Sequence, residues 1–168
     1  MVFFTLANAG ELKVKRGGTN LLDGKNYQKA YFAGGCFWCM EESFDKMSGV
    51  VKSISGYSGG HLKNPTYQDV IYKDTGHVET IEITYDPKKI SYSDLINVFW
   101  NNIDPFDKHG QFCDKGKSYR SVIFFENEKQ KDIITRSLKK VENKFGKKVV
   151  TLIWKFDRFY KAENYHQD

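Results

Sequence analysis

The chain has 168 residues, of which 40% are hydrophobic and 28% charged, and its formal net charge is +5. This length and composition predict one soluble globular domain, and no apolar run reaches the about 18 residues that a transmembrane helix needs. The basic excess is concentrated in residues 126–148, where lysines alternate with acidic residues as on a solvated helix face. We therefore expect no membrane span and no nucleic-acid partner.

The first 26 residues are predicted to form a flexible N-terminal arm. Residues 10–26 are polar and glycine-rich, whereas residues 2–9 resemble the end of a secretory signal with a small-residue cleavage site. The segment has no basic start, and its apolar run is shorter than the usual one of about 7 to 15 residues. Two alternatives stay open: the terminus of a cytoplasmic protein, or the remnant of the export signal of an exported or periplasmic one.

Strand-like and helix-like segments interleave in the remaining domain, residues 27–168. The patterns predict strands at 27–33, 50–57, 78–85, 121–125 and 149–154, and helices at 38–47, just after 64–69, from 91 to about 103, and at 127–145. Residues 104–118 are irregular, and loops of that length are more often functional than ordinary connections. The last residues show no clear pattern. This order predicts an α+β sandwich, in which helices flank a central mixed sheet around a ferredoxin-like core.

The most informative segment is a CxxC pair, Cys36 and Cys39, which follows Gly34 and Gly35 at the predicted junction of a strand and a helix. At a helix N-terminus, free amide donors and the helix dipole would lower the pKa of the Cys36 thiol. Residues three apart share a helix face, so the two thiols could also form a disulfide. Three cysteines with one CxxC indicate redox chemistry or metal binding. The alternatives are two structural thiols, or a zinc site completed by Cys113 and a histidine, which no spacing supports.

The predicted strand 78–85 carries an acid on its apolar face. Glu79 shares that face with Ile81 and Ile83, whereas Glu82 has the opposite parity and is expected at the surface. Burial would raise the pKa of Glu79 and keep it protonated, so that it could act as a general acid near a reactive thiol. The alternative is a Glu79 that lies at the strand's end and reaches water.

Ordered motifs run from about residue 29 to the end of the chain. They include GGCFWCME at 34–41, SGYSGG at 55–60, NPTY at 64–67, TGHVE at 75–79, SYRS at 118–121 and AENYHQD at 162–168. With these motifs the chain resembles the peptide methionine sulfoxide reductase A family. The resemblance implies a catalytic reductase domain at 27–168 that reduces methionine S-sulfoxide, free or in proteins, to methionine and so repairs oxidative damage.

The resemblance also implies how the reaction runs. Cys36 matches the nucleophile that attacks the sulfoxide sulfur, and Glu79 matches the acid that protonates the sulfoxide oxygen. Methionine leaves, and Cys36 becomes a sulfenic acid that condenses with a second thiol. Thioredoxin then reduces the disulfide by exchange. No cysteine follows Cys113 in this sequence, so the resolving thiol is expected to be Cys39, Cys113 or an external thiol.

Five further residues match the substrate pocket of that family. Phe37 and Trp38 match an apolar cage around the substrate's methyl group, although composition alone allows core packing equally well. Tyr67 and Tyr119 match two phenols that hydrogen-bond near the sulfoxide oxygen, and Asp114 matches an acidic residue in the same pocket. The resemblance implies no cofactor and no metal, and we expect a monomer.

Two other functional classes fit parts of the sequence. A thioredoxin-like thiol-disulfide oxidoreductase would use the strand, turn, CxxC and helix, but its usual cis-proline loop has no convincing counterpart here. A non-enzymatic module could instead hold methionine-rich peptides against Phe37 and Trp38 without turnover. Reduction of insulin disulfides would favour the first alternative, and binding that survives Cys36→Ser without any wild-type turnover would favour the second.

Overall fold

The computed structural model describes residues 26–167, so the predicted N-terminal arm lies outside the described residues apart from Asn26. The described elements alternate between strands and helices. In chain order they are β1 (Gln28–Gly34), α1 (Phe37–Asp45), β2 (Val50–Ser58), α2 (Tyr67–Tyr72), β3 (Val78–Tyr85), α3 (Tyr92–Asn101), β4 (Gly110–Gln111), β5 (Asp114–Lys115), β6 (Ser121–Phe125), α4 (Glu128–Phe145), β7 (Leu152–Lys155) and β8 (Phe159–Lys161). Two 3-10 turns follow β5 and β8, at Lys117–Tyr119 and Asn164–His166.

Six strands form one mixed sheet in the order β7-β6-β1-β3-β2-β8. Strands β6 and β7 are parallel, and every other pair in this sheet is antiparallel. The sequence β1-α1-β2-β3-α3-β6 is a βαββαβ unit whose strands lie in the order fourth, first, third, second. The predicted α+β sandwich with a ferredoxin-like core is therefore confirmed.

Polar side chains cap the N-termini of α2, α3 and α4 and explain where these helices begin. Thr66 and Ser91 accept hydrogen bonds from the backbone N–H groups of Asp69 and Asp94, and both pairs form complete capping boxes at α2 and α3. Asn127 caps α4 in the same way. Among the described residues, none of the helices has the length and apolar composition to span a bilayer.

The sheet is covered on both faces. One face packs against α1 and α3 in a cluster that includes Phe32, Phe44 and Phe99, each 0% exposed. The other face carries a smaller cluster with Tyr31 and Phe124, and it is covered by aromatic residues of the C-terminal segment. Phe156 of that segment stacks on Tyr31 with ring centroids 3.8 Å apart. The C-terminal residues, which show no sequence pattern, thus form the second covering layer.

Three sequence expectations need correction. Glu82 was expected at the surface but is 7% exposed, and it pairs with the Lys29 ammonium at 2.8 Å. The last predicted strand, 149–154, begins and ends later, as Leu152–Lys155.

Residues 104–118 contain the short hairpin β4-β5 rather than an irregular loop. The Gln111 side chain holds this hairpin to the preceding chain, since it accepts from the Asp104 N–H at 2.7 Å and donates to the Asp104 carbonyl at 2.9 Å.

Candidate active site

A tight turn between β1 and α1 brings the backbone close to three neighbouring side chains. A Cβ atom on Gly34 would lie 2.6 Å from the Met40 sulfur and 2.9 Å from Ile103. Gly35 has a φ of +86°, and a Cβ there would lie 2.6 Å from the Gln111 side chain. Both positions therefore require glycine, the second also because of its left-handed backbone. The turn fixes the start of α1 against the β4-β5 hairpin.

Cys36 is the N-cap residue of α1, as predicted, and its side chain is half-buried. The thiol makes no capping hydrogen bond of good geometry, but the N–H groups of Cys39 and Trp38 act on it and lower its pKa. Burial has the larger, opposite effect and raises the pKa of Cys36 to about 11. The predicted low pKa is therefore wrong for the free protein, because desolvation of the thiolate outweighs the helix N-terminus.

Glu79 lies on β3, buried to 2% exposure, on the same face as Ile81 and Ile83. Its carboxylate accepts a hydrogen bond at 3.1 Å from the N–H of Phe37, the residue that directly follows Cys36. Burial raises the pKa of Glu79 to about 7, and the charge of Asp114 adds to this, whereas the Phe37 N–H and Tyr119 lower it. The alternative of a solvent-exposed Glu79 is thus wrong.

The three polar residues expected beside Glu79 come from separate elements. Tyr67 opens α2, Asp114 lies on β5 and Tyr119 ends the 3-10 turn that follows. The Tyr119 phenol interacts electrostatically with Tyr67 and with the Glu79 carboxyl, and Asp114 acts on Glu79 through its charge, so both phenols and both acids belong to one electrostatic cluster. Burial raises the pKa of both phenols, which keeps them neutral hydrogen-bond donors.

Glu163 holds Tyr67 in place from the C-terminal segment. Its carboxylate accepts from the Tyr67 N–H at 2.8 Å and from the Tyr57 phenol at 2.8 Å. Sequence reasoning missed this residue. The 162–168 motif contains it, but the segment has no periodicity that would place it beside α2.

Aromatic rings form the apolar wall of the site. Phe37 is 2% exposed and Trp38 is 52% exposed, with their ring centroids 5.9 Å apart. Phe37 therefore lies in the floor, whereas Trp38 forms a rim that is open to solvent. The Trp38 indole donates to the His166 carbonyl at 3.0 Å, which fixes this rim to the C-terminal segment.

His166 is the most unusual residue of the site, and sequence reasoning gave it no role. Its ring centroid is 4.5 Å from that of Tyr67 and 5.1 Å from that of Phe37, and the residue is 4% exposed. Neither ring nitrogen has a hydrogen-bond partner among residues 26–167. Burial lowers the pKa of His166 and favours the neutral ring. Two unpaired nitrogens on a buried ring are rare in folded proteins and make His166 a candidate for a role in the site.

All three cysteines are free thiols. Cys39 is exposed on the first turn of α1, and its N–H acts on the Cys36 thiol. Cys113 is also exposed and lies at the tip of the β4-β5 hairpin, next to Phe112, which has a φ of 47°. No group of three or more His, Cys, Asp or Glu side chains between residues 26 and 167 is arranged to hold a metal ion.

This combination of an N-capping thiol, a buried acid and an aromatic wall occurs on a fold that is shared with a known enzyme family. The family model of peptide methionine sulfoxide reductase matches residues 28–168. The chain therefore belongs to the peptide methionine sulfoxide reductase family, whose reaction is the reduction of methionine sulfoxide to methionine.

Individual relatives agree with this assignment. The chain is 51% identical to peptide methionine sulfoxide reductase MsrA of Listeria monocytogenes serotype 4b over 146 residues, which is 86% of this chain and 82% of that one. It is 49% identical to MsrA of Streptococcus agalactiae serotype Ia, over 83% of this chain and 84% of that one. Reduced Mxr1 of Saccharomyces cerevisiae superposes with a TM-score of 0.79 at 29% identity, covering 86% of this chain and 83% of that one. Mxr1 has also been solved in complex with Trx2.

Proposed function

We propose that Cys36 and Glu79 carry out the reduction of methionine S-sulfoxide at this site, free or within proteins. The observation that carries the proposal is the position of the buried Glu79 carboxyl, which accepts from the Phe37 N–H directly after the half-buried Cys36. In the first step the Cys36 sulfur attacks the sulfoxide sulfur, and a proton is delivered to the sulfoxide oxygen. In the resulting adduct the OH group transfers from the substrate sulfur to the Cys36 sulfur as the S–O and sulfur–sulfur bonds break. Methionine leaves with the released electron pair, and Cys36 becomes a sulfenic acid.

The pKa values of the pair define how the proton moves. Cys36 keeps its proton up to about pH 11 and Glu79 up to about pH 7, so between these limits the pair holds one proton. The reaction needs a thiolate on Cys36 and a proton on the sulfoxide oxygen. We therefore propose that Glu79 transfers this single proton from the thiol to the oxygen, since the Phe37 N–H holds its carboxyl next to the residue that carries the thiol.

The surrounding groups orient the substrate. Phe37 and Trp38 would enclose its methyl group, and the phenols of Tyr67 and Tyr119 would donate hydrogen bonds to the sulfoxide oxygen near Glu79. The negative charge of Asp114 raises the pKa of Glu79, so that Glu79 holds its proton more firmly. Selectivity for the S epimer is what the family resemblance implies for this site.

His166 would bind another part of the substrate. Its two unpaired ring nitrogens lie among Phe37, Trp38 and Tyr67, which form the pocket wall. A backbone N–H or carbonyl of a peptide substrate is a suitable partner for a neutral ring. We propose that this hydrogen bond positions the substrate main chain while the side chain enters the pocket.

For the second step we propose that Cys39 is the resolving thiol. Its N–H already acts on the Cys36 sulfur, so the two residues adjoin on the first helical turn. Cys113 has no such effect on Cys36, and it lies at the tip of a hairpin whose base is fixed by Gln111. The Cys39 thiol would attack the sulfenic sulfur, which forms the disulfide and releases the oxygen as water.

Thioredoxin is the proposed reductant. Support comes from the exposed position of Cys39, where an external thiolate can attack the disulfide, and from the complex of yeast Mxr1 with Trx2. We propose a cytoplasmic location, because three cysteines with one CxxC do not form the disulfide framework of a secreted domain. The flexible N-terminal arm, its export alternative and the monomeric state stay predictions.

Single turnover without added reductant tests the proposal. Reduced enzyme is mixed with excess peptide methionine S-sulfoxide, and methionine and free thiols are counted for the wild type, Cys39→Ser and Cys113→Ser. We expect one methionine per chain in all three proteins, with two thiols lost in the wild type and in Cys113→Ser. Cys39→Ser should accumulate a sulfenic acid that a dimedone probe labels. Cys36→Ser should form no methionine.

The possible outcomes separate the two parts of the proposal. If the disulfide still forms in Cys39→Ser but not in Cys113→Ser, Cys113 is the resolving thiol. Absence of methionine from folded, reduced wild type, together with efficient reduction of insulin disulfides, would contradict the catalytic assignment and favour the thioredoxin-like alternative.

A further inference from the structure

A second cavity of about 660 Å³ lies away from the candidate active site. Its wall is built by the loop after β2, the end of β7, the segment that leads into β8, and the first turns of α4. None of its lining residues is among those that form the sulfoxide site. Small-molecule sites commonly have volumes of about 300 to 1,000 Å³, so this cavity has a size that suits a ligand.

Cationic side chains dominate the lining. Lys63, Lys131, Lys155 and Arg158 come from four separate segments, whereas Asp157 is the one acidic residue of the wall. Lys131 contacts Glu128 at 3.7 Å. No ion pair within residues 26–167 involves Lys63, Lys155 or Arg158. Four cations against the single acid Asp157 leave this concave surface with a net positive charge, which raises the local concentration of anions.

The cavity also has an aromatic floor. Phe125 is buried, and Trp154 and Tyr160 are partly exposed to the space above them. Lys131 Nζ lies 5.3 Å from the Phe125 ring centroid, and the Arg158 guanidinium lies 6.0 Å from that of Tyr160. Charged groups thus stand directly beside flat apolar surfaces. Such a site can bind an anionic group and a planar ring at the same time.

The walls are held firmly in position. Ser58 Oγ donates to the Arg158 carbonyl at 2.6 Å, and the Gly60 N–H donates to His77 Nδ1 at 3.1 Å. His77 Nε2 lies 2.8 Å from the Leu62 carbonyl, so the ring ties both ends of this loop. The backbone around the cations is therefore ordered before any ligand binds, which lowers the entropic cost of binding.

We propose that this basic cavity binds a phosphate-bearing small molecule of nucleotide size. Its cations take the phosphate groups, and its aromatic floor takes the attached ring. An acidic protein segment is less suitable, because it would leave the aromatic floor of this half-open cavity without a partner. Neither Cys36 nor any other residue of the sulfoxide site takes part, so this site is independent of the proposed function.

Calorimetric titration of the full chain at low salt tests the proposal with three probes: ATP, inorganic triphosphate and adenosine. We expect saturable binding of one ATP per chain with a dissociation constant below about 1 mM, weakening as salt is added. Binding of ATP about tenfold tighter than triphosphate would identify a nucleotide site. Equal affinities would identify recognition of the phosphate chain alone. Both results support the proposal.

Charge-matched variants give the control. Lys155→Glu with Arg158→Glu should weaken ATP binding at least about tenfold, whereas Lys88→Glu with Lys139→Glu, outside the cavity, should leave it unchanged. Circular dichroism and methionine sulfoxide turnover, expected to be unaltered in both double variants, establish that each is folded. Equal weakening in both variants would reduce the effect to net charge and overturn the proposal. Absence of saturable ATP and triphosphate binding, or binding of polyglutamate alone, would overturn it too.

Discussion

Two glutamates on strand β3 are buried almost equally but differ in their surroundings. Glu82 is 7% exposed and faces the Lys29 ammonium at 2.8 Å. Glu79 is 2% exposed and has no ion pair among the described residues, only the Phe37 N–H and the Tyr119 phenol. The carboxyl that faces a cation forms a structural ion pair, whereas Glu79, which faces none, holds its proton to about pH 7. Counterion placement, more than burial, separates the structural acid from the reactive one.

The largest difference between the two acids should appear in turnover. Glu79→Gln removes the proposed proton relay, and we expect kcat/KM for a peptide methionine sulfoxide to fall by about 10²- to 10⁴-fold. Glu82→Gln should stay within about threefold of wild type, since its side chain has no contact with the reacting atoms. Steady-state rates of methionine formation with dithiothreitol measure both. A loss in Glu82→Gln as large as that in Glu79→Gln would contradict the distinction between a structural and a reactive acid.

The pH dependence of turnover tests whether Cys36 and Glu79 share one proton. Below about pH 7 both Cys36 and Glu79 are protonated, and one proton must leave before a thiolate can form. Wild-type kcat/KM should therefore rise about tenfold per pH unit up to about pH 7 and then level off. In Glu79→Gln the break near pH 7 should vanish, and the low rate should keep rising toward about pH 11. A wild-type rate that falls on crossing pH 7 would contradict the one-proton pair.

His166, unlike the two acids, has no hydrogen-bond partner for its ring among the described residues. His166→Phe keeps the ring packing on Phe37 and Tyr67 but removes both unpaired nitrogens. We expect KM for peptide substrates to rise about tenfold with a small change in kcat, as loss of a substrate hydrogen bond requires. Tyr165→Phe, on the exposed neighbouring ring, is the matched control and should leave KM unchanged. An unchanged KM in His166→Phe would make the ring a packing element only.

Stability should also depend on pH through Glu79. Its pKa of about 7 in the folded protein exceeds the ordinary value of 4.5, so the folded state binds the proton more tightly. The resulting stabilisation is complete below pH 4.5 and is lost as the pH rises through 7. Relative to Glu79→Gln, wild type should lose on the order of 3 kcal/mol between these limits. Urea unfolding at pH 4.5 and pH 8 measures this, and an equal difference at both values would refute it.

The smallest expected effect concerns the paired acid. Lys29→Met leaves Glu82 without its cation and should lower the free energy of unfolding by about 1 to 2 kcal/mol, less than for a fully buried pair because the Lys29 side chain is 38% exposed. Lys29→Met with Glu82→Leu should recover most of this loss. Thermal unfolding compares the variants. Failure of the double variant to recover would show that Glu82 has further structural contacts.

The successes and failures of the sequence predictions have physical causes on the same strand. Alternating residues and the following Asp86-Pro87 define the limits of β3, and parity alone places Glu79 on the apolar face. The same rule fails for Glu82, because β3 lies inside a sheet covered on both faces, where alternation no longer separates core from solvent.

Long-range contacts explain why other features of the site could not be predicted from the sequence. His166 meets Trp38 across 128 positions of the chain, and Tyr67 meets Glu163 across 96, so no local pattern marks either contact. The raised pKa of Cys36 likewise depends on how deeply the folded chain buries it. Capping residues such as Ser91 were predictable because their partners lie three residues away.

The close approach of Met40 to Gly34 has a consequence for the enzyme's own resistance to oxidation. Met40 is 1% exposed, and its sulfur fills the space that a Gly34 side chain would take. An added oxygen on that sulfur would have to displace the turn that carries Cys36. A sulfoxide at this position would also lie too deep for a second copy of the enzyme to reach while the chain is folded. Dense packing around Met40 therefore protects the catalyst from the very lesion that it repairs in other proteins.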